Sequence, residues 1–172
     1  MIISGIGSRQ TPQNVCDEMT KIGIWCRENN IYIRSGHAEG ADWAFEQGSQ
    51  ENTVVYLPWV GFNKQLVSKA TTKCVDTKEG RELASKFHPV FAKLSNSVKK
   101  LISRDGYQIL GDNLNEPVNA VICFTPHGAI EGGSGQAMRI AKANNIPILN
   151  MFCEEFNTSG KVIEYLKKLQ EK

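Results

Sequence analysis

Three turns of the sequence combine glycine with small polar residues, as phosphate-binding loops do. They are GIGSR at 5–9, RSGHAEGAD at 34–42 and TPHGAIEGGSG at 125–135, each between a short apolar run and a segment with helical spacing. Unpaired N–H groups at a helix N-terminus attract anions, and glycine lets an anion approach the backbone closely. We therefore predict that a phosphorylated ligand contacts the glycines of these turns, Gly5, Gly7, Gly36, Gly40, Gly132, Gly133 and Gly135.

Polar and aromatic residues beside the glycines offer such a ligand further contacts. A serine in each turn could donate its hydroxyl to a phosphate oxygen, and Arg9 could pair with the phosphate charge. Asp42 could accept ribose hydroxyls or simply complement a helix dipole, and Trp59 could stack on a base or pack against the chain that follows. The predicted contacts of this kind are Ser8, Arg9, Ser35, His37, Ala38, Asp42, Pro58, Trp59, Thr125, Pro126, Ser134 and Gln136.

The common nucleotide and metal motifs do not occur in the sequence. A G-x-G-x-x-G motif would need glycine where Gln10 stands, and G-x-x-x-x-G-K-[ST] is absent. The three histidines and five cysteines lack the spacing of a metal site, and there is no C-x-x-C pair. We expect no metal site, no required cofactor and reduced thiols, and an ordinary NAD dehydrogenase or P-loop ATPase is disfavoured.

Short apolar segments that alternate with helical ones must position these turns. Strands are predicted at 2–3, 31–33, 53–57, 118–124 and 147–151, with amphipathic helices between them. Apolar strands in this alternation indicate an α/β fold, Rossmann-like and doubly wound, with a mainly parallel sheet and helices on both faces. Right-handed crossovers bring the strand-to-helix turns to the carboxyl edge of such a sheet, where ligands bind.

A long basic segment interrupts the alternation within a single predicted domain, 1–172. This insert lies at about 59–117, between the third and fourth core strands. Part of it is predicted to be helical on the spacing of Phe91, Leu94, Val98 and Leu101. The protein carries a net charge of +2, but residues 59–104 carry +7, from ten lysines and arginines and three acids. That patch indicates an anionic partner, or only a solvated lysine-rich face.

Hydropathy and helix faces bear on location and assembly. No apolar run approaches the roughly 18 residues of a membrane span, and the N-terminus lacks the basic segment of a signal peptide. We expect a cytoplasmic protein without a membrane partner. The helix after the third turn has a small apolar face suited to close packing, which could be against a second subunit, formed by Ala137, Ile140 and Ala141.

The three turns, taken in order, resemble those of a known superfamily. GIGSRQTP, SGHAEGADWAF and GGSGQAMRIA resemble the SLOG superfamily of Rossmann-like nucleotide-ligand domains. SGHAEGADWAF is similar to the corresponding turn of the DNA-processing protein A (DprA) family, and residues 88–126 resemble small phage-type DprA-like recombination mediators. The resemblance spans nearly the whole chain, and it implies a homo-oligomer, a dimer or higher.

The resemblance implies three activities. SLOG relatives include sensors of nucleotide-derived signals, single-stranded DNA-binding proteins of the DprA type, and phosphoribohydrolases that cleave an N-glycosidic bond. The hydrolase branch carries G-G-x-G-T-x-x-E with a catalytic glutamate, but here Gln136 and Arg139 stand at the threonine and glutamate positions. A cation cannot act as a general base, so the catalytic candidates that remain are Glu131 and Asp42.

We predict foremost a binding protein rather than an enzyme. Its ligand would be a phosphorylated nucleotide or nucleotide-derived signal, such as an ADP-ribose-type or cyclic nucleotide, sensed or sequestered at the carboxyl edge. One alternative is DprA-like single-stranded DNA binding, with aromatic residues of the basic segment as stacking platforms, Trp59, Phe62, Phe87 and Phe91. The other alternative is hydrolysis of a nucleotide N-glycosidic bond.

Overall fold

A six-stranded, all-parallel β-sheet forms the centre of the computed structural model, which describes residues 1–64 and 70–171. The strands are β1 (Ile2–Gly7), β2 (Tyr32–Ser35), β3 (Thr53–Leu57), β4 (Thr71–Cys74), β5 (Ala120–Phe124) and β6 (Ile148–Asn150). Across the sheet their order is β4-β3-β2-β1-β5-β6. The chain winds outward from β1 in one direction, then crosses to β5 and winds in the other. The predicted doubly wound, Rossmann-like α/β fold is confirmed.

Six α-helices in the described part of the chain cover the two faces of the sheet. They are α1 (Gln13–Glu28), α2 (Ala41–Ser49), α3 (Lys78–Phe87), α4 (Asn96–Leu110), α5 (Gly132–Ala143) and α6 (Ser159–Gln170). One apolar core joins the sheet to α1, α2 and α6, through Met19, Phe45 and Leu166 among others. A second core joins the opposite face to α4 and α5, with Leu83 and Phe87 of α3 packed against it. Because both faces are covered, β5 is buried along its whole length.

The carboxyl ends of β1 and β5 lie side by side in the middle of the sheet, where Gly7 pairs with Phe124. The chain after β1 continues to helices on one face, whereas the chain after β5 continues to α5 on the other. A crevice opens at such a reversal of strand order. The turns at 5–9 and 125–135 leave the sheet at this crevice, and the turn at 34–42 leaves β2 beside it.

The segment at 59–117, predicted as an insert, contributes regular elements to the fold. β4 extends the sheet by pairing with β3, and the sequence pattern missed it because this outer strand is half-exposed and partly polar. α4 begins after Ser95, whose Oγ accepts a hydrogen bond from Val98 N–H. Phe91 therefore lies before this helix, in a short 3₁₀ turn, and does not share its apolar stripe as predicted.

The small apolar face of α5 is used within the chain. Ala137, Ile140 and Ala141 are buried in the core that α5 shares with α4 and β5. This face is therefore not available to a second subunit, and the suggestion that it forms a subunit contact is wrong.

The five cysteines differ in accessibility. Cys26 and Cys123 are buried, and their burial raises the pKa of both thiols to about 12. Cys74 and Cys153 are exposed. Within residues 1–64 and 70–171, no three histidine, cysteine or acidic side chains form a group able to hold a metal ion. Over the same residues, every helix is too short or too polar to cross a bilayer.

Candidate functional site

A cavity of about 640 Å³ lies at the carboxyl edge of the sheet, at the reversal of strand order. This volume falls within the range of small-molecule sites, about 300–1,000 Å³. Residues from all three glycine turns line it, as does one face of α4. The predicted residues that it brings together are Gly7, Ser8, Arg9, Ala38, Asp42, Thr125, Pro126, Glu131, Gly132, Gly133 and Ser134.

The first turn of α5 forms one wall of the cavity. Glu131 occupies the N-cap position but its side chain makes no capping hydrogen bond. The space beside the next two residues is open: a Cβ on Gly132 would meet nothing within 4 Å, and one on Gly133 would meet only Asp105 Oδ2, at 3.7 Å. The exposed side chain of Arg9 also lines the cavity. Backbone N–H groups and a guanidinium thus stand where an anion can reach them.

Other predicted glycines are packed against protein atoms. A Cβ on Gly5 would lie 2.6 Å from the Phe45 ring, and one on Gly135 would lie 2.6 Å from the carbonyl carbon of Ile130. A Cβ on Gly40, whose φ is +83°, would lie 2.7 Å from the carbonyl oxygen of Ser8. These three glycines permit close contacts within the fold and do not line the cavity.

The turn after β2 is held by a buried glutamate on α2. Glu46 accepts hydrogen bonds from Ser35 Oγ (2.7 Å) and from His37 N–H (3.0 Å), and its other oxygen lies 2.6 Å from His37 Nδ1. Ser35 and His37 are both buried and lie outside the cavity lining. In this structure both residues contact Glu46, a residue that the motif-based prediction did not include.

Asp42 has one carboxylate oxygen turned toward the same turn. It accepts hydrogen bonds from Gly36 N–H (3.1 Å) and Ala38 N–H (3.3 Å). Burial raises the pKa of Asp42 to about 7, although the neighbouring Arg104 guanidinium opposes the shift. Asp42 therefore shapes the turn and also lines the cavity.

α4 brings a polar group to the cavity that the sequence prediction missed. Arg104, counted within the basic patch, is buried and donates to the Gly36 carbonyl oxygen, with its guanidinium 5.6 Å from the centre of the Phe62 ring. Its Nη2 lies 3.4 Å from Asp105 Oδ1. Gln108, oriented to satisfy both neighbours, donates to Asp105 Oδ1 (3.1 Å) and accepts from Gly36 N–H (2.9 Å).

Asp105 is a buried carboxylate, with 3% of its surface exposed, the same fraction as Asp42. Its Oδ2 has no hydrogen-bond partner in the part of the chain that the structure describes. Burial raises the pKa of Asp105 to about 7, Arg104 opposes that shift, and the charge of Asp42 adds to it. The sequence contained a signal for the inward position of Asp105. Asp105 and Gln108 lie at helical spacing from Val98 and Leu101, so they share the helix face that these two apolar residues begin.

The remaining predicted contacts lie outside the cavity lining. Trp59 packs edge-on against Phe62, with ring centres 5.2 Å apart, in a small cluster beneath β3, and Pro58 precedes it. Gln136 is buried and donates to the Ala84 carbonyl oxygen of α3 (3.1 Å). Arg139 donates to Ile130 O (3.3 Å) and to Gln136 Oε1 (3.1 Å), so it braces the loop before α5.

Much of the basic patch is paired or buried. Asp76 forms ion pairs with both Arg81 (2.8 Å) and Lys100 (3.1 Å), and Lys73 pairs with Asp112. The aromatic residues predicted to alternate with the lysines are also engaged: Phe62 is buried and Phe87 packs on the second core. Among the described residues of 59–104, part of the positive charge is therefore paired within the chain, and two of the aromatic rings serve packing.

An aromatic pair does lie beside the cavity. The rings of His127 and Phe152 are 5.6 Å apart at a 62° angle, and 46% of Phe152 is exposed. His127 lines the cavity, while Phe152 also contacts Phe124 at the end of β5, 6.1 Å between ring centres. Phe152 thus places a half-exposed aromatic ring next to His127 of the cavity lining.

Comparison with known proteins shows an architecture similar to that of a solved structure. No family model matches the chain, and no curated protein matches it. DNA processing protein A from Helicobacter pylori, whose structure was described for its single-stranded DNA binding mode, superposes with a TM-score of 0.62 at 17% identity. The alignment covers 98% of this chain and 72% of that one. The fold is DprA-like. Because the DprA-like architecture covers nearly the whole chain, it includes the segment predicted as an insert.

Proposed function

We propose that this protein binds single-stranded DNA at the carboxyl edge of its sheet, with one nucleotide unit in the cavity. The observation that carries the proposal is the cavity itself, which combines amide donors and Arg9 with apolar walls and buried acceptors. The DprA-like fold supports it, since the Helicobacter pylori protein of that fold binds single-stranded DNA. The proposal thus favours what the sequence offered as an alternative.

The strand's phosphate is proposed to contact the first turn of α5 and Arg9. The space beside Gly132 and Gly133 is open, which would let a phosphate approach the backbone N–H groups of that turn. Ser8 Oγ accepts a hydrogen bond from Gln10 N–H (3.0 Å), which leaves its own proton free for a phosphate oxygen. Arg9 supplies a full positive charge on the same side.

The bases are proposed to use the apolar surfaces. One base enters between Pro126 and the α4 side chains Leu101 and Ile102, which line the cavity. The neighbouring base stacks on the His127–Phe152 pair at the cavity mouth. Stacking on aromatic rings stabilises single strands by about 1–3 kcal/mol per base. This outer pair favours a strand, because a free mononucleotide has no second base to place there.

A free phosphorylated nucleotide or nucleotide-derived signal is the second candidate ligand. The cavity volume of about 640 Å³ supports this candidate. A cavity of this size can enclose a small molecule by itself, so the ligand would not need the His127–Phe152 pair beside the cavity. An N-glycosidic hydrolase would use Glu131 or Asp42, both of which line the cavity.

The dependence of affinity on oligonucleotide length and on salt concentration distinguishes the two candidate ligands. Fluorescently labelled oligodeoxynucleotides of increasing length, from a mononucleotide to about 20 residues, are titrated with the protein at several salt concentrations. We expect affinity to rise with length and to fall with salt, with a log–log slope of about −0.7 for each phosphate contacted. Duplex DNA of the same sequence serves as the control and should bind less tightly.

Two outcomes would contradict the proposal. Absence of binding to every oligonucleotide would exclude DNA as the ligand. Tight, salt-insensitive binding of a mononucleotide or ADP-ribose, with no gain from additional residues, would instead support the second candidate.

A further inference from the structure

Asp105, a residue of the cavity lining, leaves one of its hydrogen-bond acceptors unused. Its Oδ1 is engaged by the Arg104 guanidinium at 3.4 Å and by the Gln108 amide at 3.1 Å. Its Oδ2 is buried and has no partner among the described residues. An unpartnered buried acceptor carries a desolvation cost of about 1–3 kcal/mol, which a donor from a bound ligand would remove.

The position of Oδ2 limits what that ligand group can be. It lies 3.7 Å from where a Cβ on Gly133 would stand, so it faces the first turn of α5 from the α4 side. A phosphate pushed past this turn would meet a carboxylate oxygen, and the two would repel. The phosphate is therefore confined to the amides and Arg9, and the group beside Oδ2 must be a donor.

The surroundings of Oδ2 indicate a nucleobase edge. Leu101, Ile102 and Ala137 are apolar and line the cavity near Asp105. A flat ring fits such walls, and an exocyclic amino group on its edge can reach a single acceptor. Acidic side chains accept from the N4 amino group of cytosine in the same way in DNA recognition.

We infer that Asp105 makes the cavity selective for a nucleobase with an exocyclic amino group, so that cytosine is bound in preference to uracil. This inference rests on the proposed function. The amino group of cytosine donates to Oδ2, whereas uracil has a carbonyl oxygen at the same ring position. The N3–H of uracil is a poor substitute, because it is flanked by two carbonyl oxygens that the carboxylate repels.

The experiment compares oligo(dC) and oligo(dU) of equal length by fluorescence anisotropy at pH 8, above the pKa of about 7 to which burial raises Asp105. We expect wild-type protein to bind oligo(dC) about tenfold more tightly, the effect of one hydrogen bond to a charged group. In Asp105→Asn the preference should disappear or reverse, because the amide can turn its own N–H groups toward the base. Asp112→Asn is the matched control: Asp112 is an exposed partner of Lys73 outside the cavity, and its loss should leave the preference unchanged.

A second experiment changes the base in the oligonucleotide and uses only wild-type protein. Replacing cytosine by 2-pyrimidinone deletes the amino group without adding a carbonyl, and affinity for wild-type protein should fall by a similar factor. Equal binding of oligo(dC), oligo(dU) and the 2-pyrimidinone strand would overturn the inference while leaving DNA binding intact. A cytosine preference that survives in Asp105→Asn would overturn it as well. Failure of every strand to bind would instead overturn the proposed function.

Discussion

Gly133 and Gly135 lie two residues apart in α5, yet they face different surroundings. A Cβ on Gly133 would have only Asp105 Oδ2 near it, at 3.7 Å, whereas a Cβ on Gly135 would collide with the Ile130 carbonyl carbon at 2.6 Å. The run GGSG therefore contains two glycines beside the open cavity, Gly132 and Gly133, and a third, Gly135, that serves packing. Residue type alone could not show which glycines line the cavity and which one permits close packing, because these roles depend on where α4 and the loop before α5 lie.

Gly133→Val tests the glycine beside the cavity. We expect oligonucleotide affinity to fall at least tenfold, because a branched side chain would occupy the space proposed for the phosphate. Thermal stability should change little, since a Cβ at this position meets no close contact. Anisotropy titration and a thermal melt measure the two quantities. Gly160→Val, in the first turn of α6 and also in open space, is the matched control, and a loss of affinity there would show a nonspecific effect.

Arg9→Ala tests the charge at the cavity. Affinity for single-stranded DNA should fall several-fold, and the salt slope should become shallower by about 0.7, the contribution of one phosphate contact. Arg27→Ala, in the last turn of α1 and away from the cavity, is the control. Equal salt slopes for wild type and Arg9→Ala would remove Arg9 from the proposed contact.

α4 shows what a sequence pattern can and cannot establish about an element. Apolar spacing correctly predicted a helix that includes Val98 and Leu101, but not that its polar residues turn inward. Arg104 was assigned to a basic surface because charge alone does not reveal burial. The apolar runs predict the strands that are buried in the sheet. They do not predict β4, because an outer strand is partly exposed to solvent and can contain polar residues.

The contact between α4 and the turn before α2 should make stability depend on pH. Burial raises the pKa of Asp42 and of Asp105 in the folded state from the ordinary 3.8 to about 7, while Arg104 opposes both shifts and Arg139 also faces Asp105. The folded state then holds protons that the unfolded state releases, so stability decreases as pH rises from about 4 through 7.

We expect the melting temperature of wild type to fall between pH 5 and pH 8, and that of Asp105→Asn to fall less. The difference should be a few degrees, since about 1 kcal/mol corresponds to about 2–4 °C in a domain of this size. Asp112→Asn should follow wild type over this range, because ion pairing with Lys73 lowers the pKa of Asp112. Parallel curves for wild type and Asp105→Asn would contradict the assignment.

For the molecule as a whole, strand order decides where the turns meet. Alternating apolar segments were enough to predict that turns from β1, β2 and β5 gather at one edge, and the sheet order brings β1 between the other two. The sequence could not reveal that β4, α3 and α4 belong to the same architecture, since their placement depends on long-range packing. The superposition on the Helicobacter pylori protein covers 98% of this chain and so extends over that segment as well.

The two exposed thiols lie at opposite margins of this architecture. Cys74 ends β4 and Cys153 follows β6, so they mark the outermost strands at the edge that carries the cavity. Thiolates react with maleimides and thiols do not. Burial raises the pKa of the half-buried Cys16 and of the buried Cys26 and Cys123, which favours the unreactive protonated form of these three thiols. A donor dye and an acceptor dye would consequently attach on either side of the cavity. Energy transfer between them would report whether the two halves of the β-sheet approach each other when single-stranded DNA binds.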